Sequence, residues 1–149
     1  MKLEDEIQQK LFKSEQHKLS VNITYTANWL NSKTEKLFKE YNLTPQQYNI
    51  LRILRGQNDK PSTIKLLRER MLDKMCDASR LVDNLVKKDF VIRKIAEHDR
   101  RNCDVFISKK GTKVLAAIDL RIPEFEKILN TLNEKEMHQL NSLLDKLRG

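Results

Sequence analysis

The side chains with the most chemical promise fall in one short stretch. Placed on a helix at about 100° per residue, Cys76, Arg80, Asp83 and Lys87 line one face, with Ser79 and Asn84 at its edges. Ala78, Leu81, Val82 and Leu85 share the opposite, apolar face. The outward face carries a guanidinium, a hydroxyl and an amide, with Cys76 and Asp77 where the helix would begin. Guanidinium and amide groups match the donor and acceptor pattern of base edges, and hydroxyl and ammonium groups suit phosphates. A second set, Arg100, Arg101 and Asn102, stands beside Asp99 in a polar segment. A guanidinium there suits a phosphate or a narrow minor groove, and Asp99 is placed to brace Arg101. The plainer alternatives stay open: Arg80 as a solvated charge paired with Asp77 or Asp83, and residues 99–102 as an ordinary charged tip. Lys87 and Lys88 read as phosphate contacts or solvated charges.

Other chemistries find little support. His17, His98 and His138 are far apart and show no metal-ligand spacing, so neither a metal nor a cofactor is expected. No serine, cysteine or carboxylate sits in a nucleophile elbow or a paired acid/base motif, so the chain does not read as an enzyme. Cys76 and Cys103 are the only cysteines and make no disulfide framework. At a helix start the dipole lowers a thiol pKa, so a redox role for Cys76 stands as an alternative to packing. Tyr25, Trp29 and Tyr48 are candidates to line a small-molecule site, against the alternative that they pack a core or an interface.

Periodicity names the elements that position these groups. Ile7, Leu11, Leu19, Ile23, Leu30 and Leu37 recur at helical spacing, so one long helix or two collinear helices are expected from Leu3 to about Phe38. Thr44-Pro45-Gln46-Gln47 is a capping-box start for a second helix that Gly56 ends. A short helix follows from Thr63 to Met71, then a tight break at Leu72-Asp73-Lys74, then a helix from about Lys74 to Lys88. Beyond it the period falls to two: Val91, Arg93 and Ile95 alternate with Ile92, Lys94 and Ala96, and Cys103, Val105 and Ile107 with Asp104, Phe106 and Ser108. This is a β-hairpin around the tip that carries Arg100 and Arg101. Ser108 caps a helix running to about Asn130, which Pro123 must bend or split. Asn133 and Glu136 form a second capping box that opens the last helix.

The whole is 149 residues with a net charge of +8. That length favours a single domain with enough core to fold without staples. The positive excess favours a polyanionic partner. No apolar run approaches the roughly 20 residues of a membrane span. The first residues, Met1-Lys2-Leu3-Glu4-Asp5-Glu6, lack the apolar stretch of a secretory signal, so a cytoplasmic location is expected.

Two helices joined by a turn and followed by a charged hairpin form the arrangement of a winged helix-turn-helix. The run from Ser62 to Leu67, the run from Ser79 to Val91, the wing Asp99-Arg100-Arg101 and the segment Val105 to Gly111 together resemble the MarR family of bacterial transcription regulators. The resemblance covers nearly the whole chain. It departs at Asp89, where the family usually has glycine, and at Leu72 to Asp77, where Asp73 and Asp77 bring negative charge toward the outward face. The resemblance implies a mostly α fold with a small β-hairpin wing, in the order α-α-α-α-β-β-α-α. Its winged lobe is expected at about 44–111 and its dimerisation helices at about 1–40 and 112–149. It further implies a homodimer on double-stranded DNA, a pseudo-palindromic operator with half-sites about 10 bp apart, repression, and release by a small aromatic effector. The apolar side chains of the terminal helices, among them Leu11, Phe12, Trp29, Phe125 and Leu129, exceed what one small lobe can bury. The rival reading is a winged-helix protein-interaction module without sequence-specific DNA binding, for which Asp77 and Asp83 on the outward face are the support.

Overall fold

The computed structural model describes residues 1–95 and 103–149. The elements are α1 (Leu3–Glu6), α2 (Glu15–Lys39), α3 (Pro45–Arg55), α4 (Ile64–Arg70), α5 (Ala78–Lys87), β1 (Val91–Ile95), β2 (Cys103–Ile107), α6 (Lys109–Asp119), α7 (Ile122–Glu126) and α8 (Glu134–Arg148), with a 3-10 turn at Lys127–Leu129. They group into two compact units, residues 1–115 and 116–149. None of the described helices is long and apolar enough to cross a membrane.

The continuous or collinear helix expected over residues 3–38 does not form. Gln8 takes a left-handed φ of 54°, and α2 starts afresh at Ser14, whose hydroxyl accepts from the His17 N–H. The α1 segment folds back along α2. Tyr25 donates to Glu6 Oε2 at 2.7 Å, although 19 residues separate them, and a collinear helix would hold them about 28 Å apart at 1.5 Å per residue. Lys18 and Glu4 form a second tie.

At its other end α2 closes with a Schellman motif. Leu43 N–H reaches Phe38 O, Asn42 N–H reaches Lys39 O, and Asn42 supplies the left-handed residue at φ 56°. The chain then enters α3 through the expected capping box: Gln47 N–H bonds the Thr44 hydroxyl while the Gln47 side chain accepts from Thr44 N–H. The α3 residues Ile50, Leu51 and Leu54 are buried, as are Leu67 of α4 and Val82 and Leu85 of α5. The Phe38 and Tyr48 rings stack with centroids 4.2 Å apart.

The expected hairpin forms, with Val91 opposite Ile107 through Ile95 opposite Cys103. It gains an edge that periodicity did not show. Ser62, just before α4, pairs both ways with Val105, at 3.0 and 2.8 Å. The helix expected from Ser108 to Asn130 is split as Pro123 requires, with α6 ending at Asp119 and Pro123 seated in the first turn of α7. Asn133 and Glu136 cap α8 reciprocally. In the second unit Leu140, Leu143 and Leu147 of α8 stay exposed.

The end of α5 is fixed by a second Schellman motif. Phe90 N–H bonds Leu85 O, Asp89 N–H bonds Val86 O, and Asp89 sits at φ 61°. Asp89, the departure from glycine noted in the resemblance, therefore takes the left-handed conformation that glycine favours. From there the chain runs into β1, returns along β2, and meets its own path at Gly111. A Cβ on Gly111 would stand 2.3 Å from Phe90 O and 2.9 Å from Ile107 Cγ1. Gly111→Ala is therefore expected to lower stability by about 1–3 kcal/mol, as overpacking does. A thermal melt followed by circular dichroism checks this, and an unchanged midpoint would contradict the close approach.

Candidate nucleic-acid interface

The arrangement is built on α4, the turn after it, and α5. The second helix begins at Ala78 rather than near Lys74, so the turn is longer than the sequence reading placed it. Side chains organise this turn. Asn49 of α3 accepts the Leu72 N–H at 2.9 Å. The Asp73 carboxylate accepts the Met75 N–H at 3.0 Å. The Cys76 thiol donates to Asp73 O at 3.0 Å and lies 3.2 Å from the buried Met71 sulfur. Asp77 is the N-cap of α5 and accepts the Arg80 N–H at 3.1 Å.

Cys76 and Asp77 therefore belong to the turn, and projecting Cys76 onto the helix face is corrected. Burial, and after it the nearby Asp73 charge, push the Cys76 thiol above its ordinary range. The lowering expected of a helix start is not realised, because the thiol faces the turn it holds.

Within α5 the rest of the projection stands. Ala78, Val82 and Leu85 are buried, Leu81 is half-buried, and Arg80, Asp83 and Lys87 are exposed, with Ser79 and Asn84 between. Neither acid offered as a partner for Arg80 pairs with its guanidinium. Asp77 instead accepts the Arg80 backbone N–H, and Asp83 accepts from Arg93 of β1 at 2.6 Å. Among the described residues the Arg80 side chain has no such partner. The Cys103 side chain beside Arg93, and then Asp83, hold the Arg93 guanidinium above its already high range. Lys88 is neither a phosphate contact nor a solvated charge: its ammonium bonds Asn42 O at 2.7 Å and Gln47 Oε1 at 3.0 Å.

Sequence reasoning missed Arg93 as a positioning residue. Only its charge, opposite in sign to Asp83, hinted at the pair, which tethers the hairpin to α5. Arg100, Arg101, Asn102 and the Asp99 brace lie outside the described residues. Of the aromatic candidates, Tyr48 is stacked and buried in the core with Arg52 over its ring. Tyr25 is held by Glu6, and Trp29 is half-buried on α2.

A helix pair across a rigid turn, with a two-stranded hairpin tethered to the second helix, defines a winged helix-turn-helix protein. The MarR family model matches residues 43–103. The regulator SarZ of Staphylococcus aureus is 31% identical over 114 residues, spanning 74% of this chain and 71% of SarZ. The chain belongs to the MarR family of transcription regulators. The fold is shared with the organohalide-sensing regulator RdhR-CbdbA1625 in its 2,4-dichlorophenol-bound form, at TM-score 0.83 and 21% identity over 94% of this chain and 85% of that one. It is shared too with a mutant MarR from E. coli complexed with operator DNA, at TM-score 0.78 and 20% identity over 99% of both chains.

Two outcomes follow from this geometry. The Arg93–Asp83 pair is partly exposed, so a double-mutant cycle of Arg93→Gln and Asp83→Asn should give a coupling of about 0.2–1 kcal/mol to stability, and zero coupling would sever the tether. The thiolate is the reactive form, so a raised pKa means less of it at neutral pH. Peptide-resolved alkylation should label Cys76 more slowly than a free thiol at pH 7.5, with labelling accelerating only at a pH above the free thiol's range. Faster labelling than the free thiol would contradict the assigned environment.

Proposed function

We propose that the chain is a homodimeric, sequence-specific DNA-binding regulator that represses transcription from a pseudo-palindromic operator. The observation that carries this reading is the state of charge on α5. Arg80 is exposed without a side-chain partner among the described residues, while Asp77 and Asp83 are both committed. This leaves Ser79, Arg80, Asn84 and Lys87 as the set that meets DNA, with Arg80 toward base edges and Lys87 toward phosphate. Cys76 and Asp77 shape the approach, and Arg100, Arg101 and Asn102 would extend the contact from the wing. The same commitment of the acids takes away the main support for a protein-interaction module.

In this reading residues 44–111 form the DNA-reading lobe, and 1–40 with 112–149 form the dimerisation region. The apolar face of α8, where Leu143 and Leu147 are more than half exposed at 55% and 57%, supports a second copy of the chain as its cover. Release by a small aromatic effector follows the precedent of a structural neighbour that carries a bound dichlorophenol.

Selection from random or genomic fragments at physiological salt tests the reading. The full chain should enrich a palindrome with half-sites about 10 bp apart. Arg80→Ala and Arg101→Ala should each weaken it, Arg80→Ala by about 1–3 kcal/mol with relaxed preference at one position. Enrichment of nothing beyond salt-sensitive, sequence-independent binding would overturn it.

A further inference from the structure

The turn before α5 presents two large apolar side chains to solvent, Leu72 at 88% and Met75 at 94% exposure. A floppy loop would explain such exposure by itself, but this turn is held at each step. Asn49 fixes the Leu72 N–H, Asp73 fixes the Met75 N–H, and the Cys76 thiol fixes Asp73 O. Met75 therefore stands out from a rigid backbone two residues before the N-cap of α5. The N-terminal end of such a helix is the part that meets base edges in the major groove.

The groups around Met75 leave it the apolar element of that edge. Asp73 and Asp77 are turned to backbone N–H groups, and Lys74 reaches back to the Glu69 carbonyl at the end of α4. The one apolar feature that DNA offers in the major groove is the thymine C5-methyl group. A methionine is suited to meet it, being unbranched, polarisable and able to fit an irregular surface.

We propose that Met75 is a specificity residue that reads a thymine methyl group in the operator. The inference rests on the DNA-binding reading above and names part of what is read. It predicts that the preferred site carries a thymine under the start of α5, and that removing only its methyl group removes the preference.

The test begins with the site selected by the full wild-type chain and replaces its thymines one at a time by deoxyuridine, which lacks only the methyl. At one thymine the wild type should bind the deoxyuridine duplex about fourfold more weakly, the loss expected when one group worth about 0.8 kcal/mol is no longer buried. Met75→Ala should bind the two duplexes equally, and Met75→Gln, similar in length but polar, should behave as Met75→Ala does. Because the side chain lies almost wholly in solvent, both variants should keep the wild-type melting temperature. Wild-type indifference to every deoxyuridine, or equal sensitivity in Met75→Ala, overturns the inference while leaving the regulator intact. Failure of the wild type to select any site overturns both.

Discussion

The reversal of the chain after α5 is secured at three consecutive carbonyls. Lys110 Nζ donates to Lys88 O at 2.8 Å, the Ser108 hydroxyl to Asp89 O at 2.6 Å, and Ser108 N–H to Phe90 O at 3.0 Å. These are carbonyls at a helix end, where partners inside the helix run out. The segment that satisfies them is itself a helix start, because the same Ser108 hydroxyl accepts the Gly111 N–H and so caps α6. One serine thus serves the end of one helix and the beginning of another. The hairpin between them starts and returns at that joint, Val91 pairing with Ile107. Two backbone details make the approach possible: the left-handed Asp89 and the missing Cβ of Gly111.

The joint bears on charge as well as shape. A linear count places Asp73, Asp77 and Asp83 among the basic groups of the outward face and suggests that they blunt it. In the folded chain each carboxylate has a donor: a turn N–H, a cap N–H and the Arg93 guanidinium respectively. Arg93 offsets the charge of Asp83, while Asp73 and Asp77 keep their charge and turn their carboxylates to backbone N–H groups. The outward face of α5 therefore keeps Arg80 and Lys87 exposed, with its own acid, Asp83, paired to Arg93.

What could be read beforehand follows the range of the interactions. Thr44 with Gln47, Asn133 with Glu136, and Ser108 as a cap are local patterns, and all three form. The two strands were also legible from alternation over residues 91–96 and 103–108, but burial does not follow it: Val91 and Val105 are buried while Ile95 is 69% exposed. The break between α1 and α2 was missed because apolar spacing continues across residues 7–14. The one local signal was Ser14, a good cap three residues before His17. The start of α5 was placed too early because Lys74 to Cys76 carry no helix breaker. What shapes the turn instead is Asn49, which accepts the N–H of Leu72, 23 residues away, together with the Asp73 side chain. The Arg93–Asp83 tether, hinted at only by opposite charges, and the Lys88 link to Asn42 and Gln47 escaped for the same reason, since pairing across the fold leaves no trace in periodicity.

These long-range ties also constrain how such a reading surface can be switched. The α5 helix is braced along its length by Arg93, and at its end by Lys88, Ser108 and Lys110. Tilting it within the lobe would break several of these bonds together, at about 0.5–1.5 kcal/mol for each typical one and more where a charge is left unpaired. An effector's differential affinity for two states is of limited size, typically a few kcal/mol. Moving the lobe as a body leaves every one of these bonds intact. Under the proposed reading, release from DNA therefore changes the placement of whole lobes on successive grooves, while the contact set on each α5 keeps its shape.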